Sequence, residues 1–272
     1  MLRLRAKPYE QTNHVQRYDA HQIMKEFSRI FRWRLDGKDS LLDVGTGSGD
    51  VLMDILRPSL PRNFRKIVGS DFSAEMIEHC NAVHKSRHVD KVDFKILDIE
   101  TERLPKEFIN EFDHVTSFYC LHWIKNQRQA MGNIYEMLHN EGDCLLVFLE
   151  WHEFFDIYEI LSNTPKWAPH MKDMKCYTSK LFRSNKAEFR RILKDVGFAD
   201  CSVVIRDRSY AYEGLDALRE FCRAVNPYID RIPLKLHEEF LDDIIDHIIE
   251  LNLHDGIRFI IRYRLFVIYA RK

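Results

Sequence analysis

Apolar positions along the chain fall into two alternating rhythms. Short apolar runs of strand length are separated by stretches with helical spacing. Residues Val15 to Trp33 carry Ile23, Met24, Phe27, Ile30 and Phe31 at helical intervals and predict a first helix. A strand is predicted from Ser40 to Val44, then a helix from near Asp50 that ends before Pro58. Further strands are predicted over Lys66–Ser70, Val92–Leu97, Asp113–Phe118 and Cys144–Leu149, with helices over Ala74–Lys85 and Gln127–Leu138. Asn140–Asp143 reads as a turn. Strands alternating with helices imply a parallel sheet covered on both faces.

After Glu150 the rhythm loosens. Residues 151–184 are aromatic-rich (Trp151, Phe154, Phe155, Tyr158, Trp167, Tyr177, Phe182). A helix over Lys186–Val196 ends at Gly197, and a strand over Ala199–Arg206 follows. A mainly helical insertion is then expected over 209–256. In it Phe240, Leu241, Ile244, Ile245, Ile248 and Ile249 form one face, and Glu238, Glu239, Asp242, Asp243, Asp246 and Glu250 form a solvated one. The last strand is predicted over Arg264–Ala270. The expected fold is α/β: a Rossmann-like, seven-stranded, mostly parallel sheet with helices on both faces and a helical cap from insertions after strands five and six. The 272 residues then form a single domain, with a core over 38–150 and a cap from 1–35, 151–184 and 207–262.

Composition narrows the class. Lys plus Arg is 41 and Asp plus Glu is 42, a formal net charge of −1. Such balance, with an acidic helix face, speaks against a nucleic-acid partner. No apolar run approaches the ~20 residues of a membrane span. The start, MLRLRAKPYE, lacks the apolar segment of a secretory signal. Six scattered cysteines form no CxxC, so neither a zinc knuckle nor any other metal site is expected, and a cytoplasmic setting is.

Glycine is scarce, 10 in all, yet Gly45, Gly47 and Gly49 fall within five residues of Leu41-Leu-Asp-Val-Gly-Thr-Gly-Ser-Gly-Asp50. Glycines there permit a sharp strand–helix turn and close approach of a ligand. The spacing is not the dinucleotide G-x-G-x-x-G, and no phosphate-loop motif exists. Asp43 and Asp50 flank the loop, which suits an ammonium group better than a phosphate. Asp71 ends the second strand, where an acid can accept both hydroxyls of a ribose. Asp98 ends the third, where a carboxylate beside Ile99 can bond an adenine amino group.

With these elements in place, residues 38–150 resemble the class I S-adenosylmethionine-dependent methyltransferases. The resemblance implies that Asp43, Gly45, Thr46 and Gly47 hold the methionine part and Asp71 and Phe72 the ribose. It places adenine at Asp98 and Ile99, adds Met76 and Phe118 to the set, and makes S-adenosylhomocysteine the product. Over nearly the whole chain the sequence is similar to the insect juvenile hormone acid methyltransferases. They share the Gln16-Arg-Tyr-Asp start, the Phe118-Tyr-Cys-Leu-His-Trp123 segment and the aromatic-basic end Tyr-Ala-Arg-Lys272. That resemblance implies methyl transfer to the carboxylate of farnesoic acid or juvenile hormone acid, with Gln16 and Trp123 as the catalytic pair that holds the carboxylate. Trp151 and the aromatics after it would line the pocket for a small apolar acid. A carboxylate, with a pKa near ~4, needs alignment and no base, so His122 reads as a packing or hydrogen-bonding residue. Two other readings stay open on the residues alone. One is a methyltransferase on another small carboxylate or nucleophile, although the [DN]-P-P-[YF] motif of base methylation is absent. The other is a non-catalytic binder of a hydrophobic acid. The oligomeric state is not legible.

Overall fold

The computed structural model describes residues 6–84, 90–172 and 185–272. Tyr177 and Phe182 lie outside the described residues. Two short helices, α1 (Ala6–Thr12) and α2 (His14–Phe27), precede β1 (Ser40–Val44). After the glycine loop a helix begins at Asp50, passes through a π-helical segment (Leu52–Leu56) and continues as α3 (Arg57–Ser59). It does not stop before Pro58 as expected. Proline lacks an N–H and crowds the carbonyl four residues back. The wider π register relieves that crowding, as the Arg57 N–H bonds to the Leu52 carbonyl five residues back. The order then runs β2 (Lys66–Asp71), α4 (Ala74–His84), β3 (Val92–Ile96), β4 (Phe112–Phe118), α5 (Gln127–Met137), β5 (Leu138–His152) and α6 (Glu153–Ser162). It closes with α7 (Lys186–Val196), β6 (Asp200–Glu213), α8 (Gly214–Ala224), α9 (His237–Glu250) and β7 (Arg258–Arg271).

The seven strands form one sheet in the order β3-β2-β1-β4-β5-β7-β6. β1 to β5 are parallel, and β7 runs antiparallel to both β5 and β6. Side-chain alternation divides the core. Leu42, Val115, Leu146 and Phe266 pack under α5 and α7, while Leu41, Leu145, Val147 and Leu265 pack under α2, α6, α8 and α9. The carboxyl ends of the parallel strands therefore open between the glycine loop and the helices added after β5 and β6, where ligands bind in open α/β sheets. Among the described residues no helix is long and apolar enough to cross a membrane.

Several strands are longer than the hydrophobic pattern shows. β6 and β7 pair continuously from Asp200↔Arg271 to Glu213↔Arg258, so the expected insertion begins as sheet. β6 is an edge strand and its outer half carries Arg206, Arg208 and Ser209, which blunt the apolar signal. The expected turn at Asn140–Asp143 lies inside β5 as an irregularity, with Glu141 at φ +67°. The acidic face of α9 is not simply solvated: Arg219 pairs with Glu238 and Asp242, Arg223 with Glu238, and Lys166 with Asp243. Ile249, placed on its apolar face, is 44% exposed.

At the amino ends of β1 and β4 sits a buried charge cluster. His114 Nδ1 and Asp143 Oδ1 are 2.6 Å apart, and Nε2 lies 2.9 Å from Asp39 Oδ1. Burial alone would depress the imidazole, but its bonds to Asp143 and Asp39 outweigh it and push the pKa up to about 9. An unfolded histidine titrates near ~6.5. The stabilisation is therefore complete below about pH 6.5 and is lost as pH rises through the folded value, on the order of 3 kcal/mol in all. We expect thermal stability to fall between pH 7 and about 9.5 more steeply in the native protein than in a His114→Gln variant. Parallel pH profiles of the two melting temperatures would contradict this assignment.

Candidate active site

The glycine loop is fixed before any ligand arrives. Its three glycines have positive φ (73°, 56° and 81°). A Cβ on Gly45 would lie 2.3 Å from that of Cys120, so only hydrogen fits where the β1 and β4 loops cross. The N–H groups of Gly45 and Thr46 donate to the Ser70 carbonyl, tying the loop to β2. The Gly47 N–H donates to Asp71 Oδ2 (3.0 Å), and the Ser73 N–H to Asp71 Oδ1 (2.9 Å). Asp71 is thereby held at the strand end with a lone pair on each oxygen to spare. Burial pushes its carboxyl up, and the N–H groups of Ser73, Gly47 and Phe72 pull it back.

Two cavities open at this edge. One, of about 810 Å³, is lined by Gly45 and Gly47, by Asp71, Phe72 and Met76, and by Asp98, Ile99 and Glu100. Among the described residues no Lys, Arg or His lines it, while Asp71, Asp98 and Glu100 do. Seven of the residues proposed from sequence for a nucleoside cofactor thus meet in one cavity. Asp98 also closes a turn, its Oδ1 accepting the Glu100 N–H (2.9 Å). Asp43, Thr46 and Phe118 lie behind the lining. Asp43 accepts from Thr116 Oγ1 (2.8 Å), and burial, with lesser repulsion from Asp71 and Asp50, pushes its pKa up to about 7. Phe118 is buried in the core. Asp50 does not face the cavity: it accepts from Asn13 Nδ2 (3.0 and 2.9 Å) and Arg17 Nη1 (2.6 Å) and so anchors α1 and α2 over the loop.

The second cavity, of about 600 Å³, is walled by aromatic and aliphatic side chains of β5, α6 and α8, among them Leu149, Phe154, Phe155, Tyr158 and Phe221. Gln16 and Trp123 both line it. Gln16 is 7% exposed, and its amide oxygen is buried with no hydrogen-bond partner among the described residues. Tyr9, Tyr119 and Trp123 line both cavities and form the wall between them. Trp151 lines neither. A register shift between Leu149 and Trp151 puts two residues of β5 against one of β7 and reverses the alternation. The indole instead donates to Asp156 Oδ2 (2.8 Å), and Arg264 lies over its ring.

Two contributors escaped the sequence reading. Tyr9 leaves no signal, being one polar-aromatic residue on a seven-residue helix. Asp19 does leave one. It is an acid on the apolar face of α2, between Val15 and Ile23, and is fully buried. It accepts the hydroxyls of Tyr119 (2.6 Å) and Tyr263 (2.7 Å). That pins α2, with Gln16, to Tyr119, which holds an unusual φ of +55° directly after β4.

A methyltransferase-domain family model matches residues 15–203. The chain belongs to the methyltransferase family. Within it the chain groups with the juvenile hormone acid O-methyltransferases. It is 45% identical to that of Drosophila melanogaster, over 98% of this chain and 92% of that protein. To that of Bombyx mori it is 35% identical, over 97% and 96%. Solved structures share the fold at low identity. The YcgJ protein of Bacillus subtilis superposes with a TM-score of 0.62 at 17% identity, covering 94% of this chain and 98% of that one. A Haemonchus contortus phosphoethanolamine N-methyltransferase solved with S-adenosyl-L-methionine gives 0.57 at 16%, covering 94% and 52%.

Proposed function

We propose that the protein transfers the methyl group of S-adenosylmethionine to the carboxylate of juvenile hormone acid or farnesoic acid, giving the methyl ester. One observation carries the reading: an acid-lined cavity, to which the described residues contribute no cationic side chain, shares a wall with an aromatic cavity that contains Gln16 and, among the described residues, no Lys or Arg.

The first cavity fits a cationic nucleoside. Asp71 can accept both ribose hydroxyls, and Ile99 and Phe72 offer apolar surface to a base. Burial, with lesser repulsion from Asp71 and Asp50, makes Asp43 costly to ionise, a cost that a ligand with positive groups relieves and a phosphate would worsen. Bound there, S-adenosylmethionine supplies an electrophilic methyl group and leaves as S-adenosylhomocysteine. The second cavity has the size of a typical small-molecule site and suits an isoprenoid chain.

The work left to the chain is to hold a carboxylate, strip its water and aim one oxygen through the shared wall. Gln16 and Trp123 can each donate an N–H to it. Their neutrality leaves the carboxylate's charge on the attacking oxygen, where a lysine would damp it. Alignment of two reactants supplies up to ~7–11 kcal/mol in favourable cases. Residues 151–172 and the helices α8 and α9, with α1 and α2, act as the cap that excludes water. A cytoplasmic location accords with this role. The experiment is direct: pure protein, labelled cofactor and each acid, with the ester separated and counted. Ester from either acid supports the assignment. A folded, cofactor-binding protein that makes none refutes it.

A further inference from the structure

The mechanism above leaves two imidazoles of the aromatic cavity without a part. His122 lies on the helical turn Leu121–Trp123, and His152 ends β5. Both line the cavity, and burial pushes both down to about 3, so both are neutral. Their tautomers follow from their surroundings. His152 Nδ1 accepts the Phe154 N–H (3.2 Å), so its proton is on Nε2. His122 Nδ1 is buried with no hydrogen-bond partner among the described residues. A buried N–H without an acceptor is rarer than an unused lone pair, so the His122 proton also stands on Nε2. None of the described residues hydrogen-bonds to that Nε2.

Position sets His122 apart. Its ring centre lies 4.6 Å from that of Trp123 and 6.2 Å, edge-on, from that of Tyr119. These are two of the three residues of the wall between the cavities, so His122 stands at the end where methyl transfer occurs. An ionised carboxylate offers about four lone-pair sites, and one amide and one indole do not fill them. We infer that His122 contacts the substrate, its Nε2–H serving as a third donor to the carboxylate beside Gln16 and Trp123. The inference rests on reading the cavity as an acid site. It recasts the segment Leu121-His-Trp123 as two adjacent donors rather than one donor with a packing neighbour.

The test compares His122→Gln, whose amide reaches the place of Nε2, with His122→Asn, whose amide falls nearer Nδ1, and with His122→Phe. Each is measured for kcat and KM with farnesoic acid. Affinities for the acid, for its methyl ester and for S-adenosylhomocysteine are measured alongside. Loss of a hydrogen bond to a charged group predicts a fall in kcat/KM of about 10- to 100-fold for Phe and Asn, with Gln retaining most of the activity. Acid affinity should fall about tenfold while ester and S-adenosylhomocysteine affinities hold within about twofold, because the ester has lost the charge that the donor serves. Equal weakening of acid and ester, or His122→Phe at wild-type activity, overturns the inference alone. A wild-type protein that esterifies neither acid overturns the acid reading and this inference with it.

Discussion

Replacing Gln16 by alanine is expected to lower kcat/KM for acid methylation by about 10- to 150-fold, the worth of roughly 1.5–3 kcal/mol for a hydrogen bond to a charged group. S-adenosylhomocysteine affinity should be unchanged, since Gln16 lines only the aromatic cavity. Trp123→Phe should lose a comparable amount but disturb cofactor affinity as well, because Trp123 lines both cavities. Gln16→Glu should be at least as damaging as alanine. It sets a carboxylate against a carboxylate where water is excluded, and like charges there cannot both ionise without cost. Steady-state kinetics with farnesoic acid, beside calorimetric binding of S-adenosylhomocysteine, separates these outcomes. A Gln16→Glu enzyme with wild-type kinetics would remove Gln16 from the substrate's carboxylate end.

The second large effect is expected at Asp71. Its two oxygens already accept the N–H groups of Gly47 and Ser73, and under the proposed function their remaining lone pairs would accept the ribose diol. Asp71→Ala removes the diol acceptor and leaves the Gly47 N–H without its partner. S-adenosylhomocysteine affinity should fall about 100-fold or more, as two charge-assisted bonds are lost together. Asp71→Asn keeps one acceptor oxygen and should fall between. The readout is calorimetry, with the melting shift at saturating ligand as a second measure. Wild-type affinity in Asp71→Ala would place the ribose elsewhere.

Much of this site could be read before any coordinates. The β1 loop, Asp71, Asp98 and Ile99 sit at ends of parallel strands, and parallel strands buried on both faces show as unbroken apolar runs. What stayed hidden depended on features that leave no hydrophobic trace. The register shift between Leu149 and Trp151 turns a residue of the right parity away from the cavity. Asp50, read as an ammonium partner, is committed to Asn13 and Arg17, 37 and 33 residues back in the chain. Asp43 sits behind the loop rather than at its surface. The outer halves of β6 and β7 escaped because charged residues interrupt their apolar pattern, Arg206, Asp207 and Arg208 in β6 and Arg258 and Arg262 in β7. Pro58 misled because a π-helical turn absorbs it. The dividing wall is the most informative feature gained. Tyr119 and Trp123 come from one segment, but Tyr9 joins them from α1, which Asp50 anchors through Asn13 and which Glu75 and His79 tie to α4.

The most direct test of the account is the fate of the methyl group. Protein incubated with methyl-labelled S-adenosylmethionine and juvenile hormone acid should yield label in the neutral, organic-extractable methyl ester, one ester per S-adenosylhomocysteine formed. A folded protein that binds S-adenosylhomocysteine yet leaves both juvenile hormone acid and farnesoic acid unesterified would contradict it.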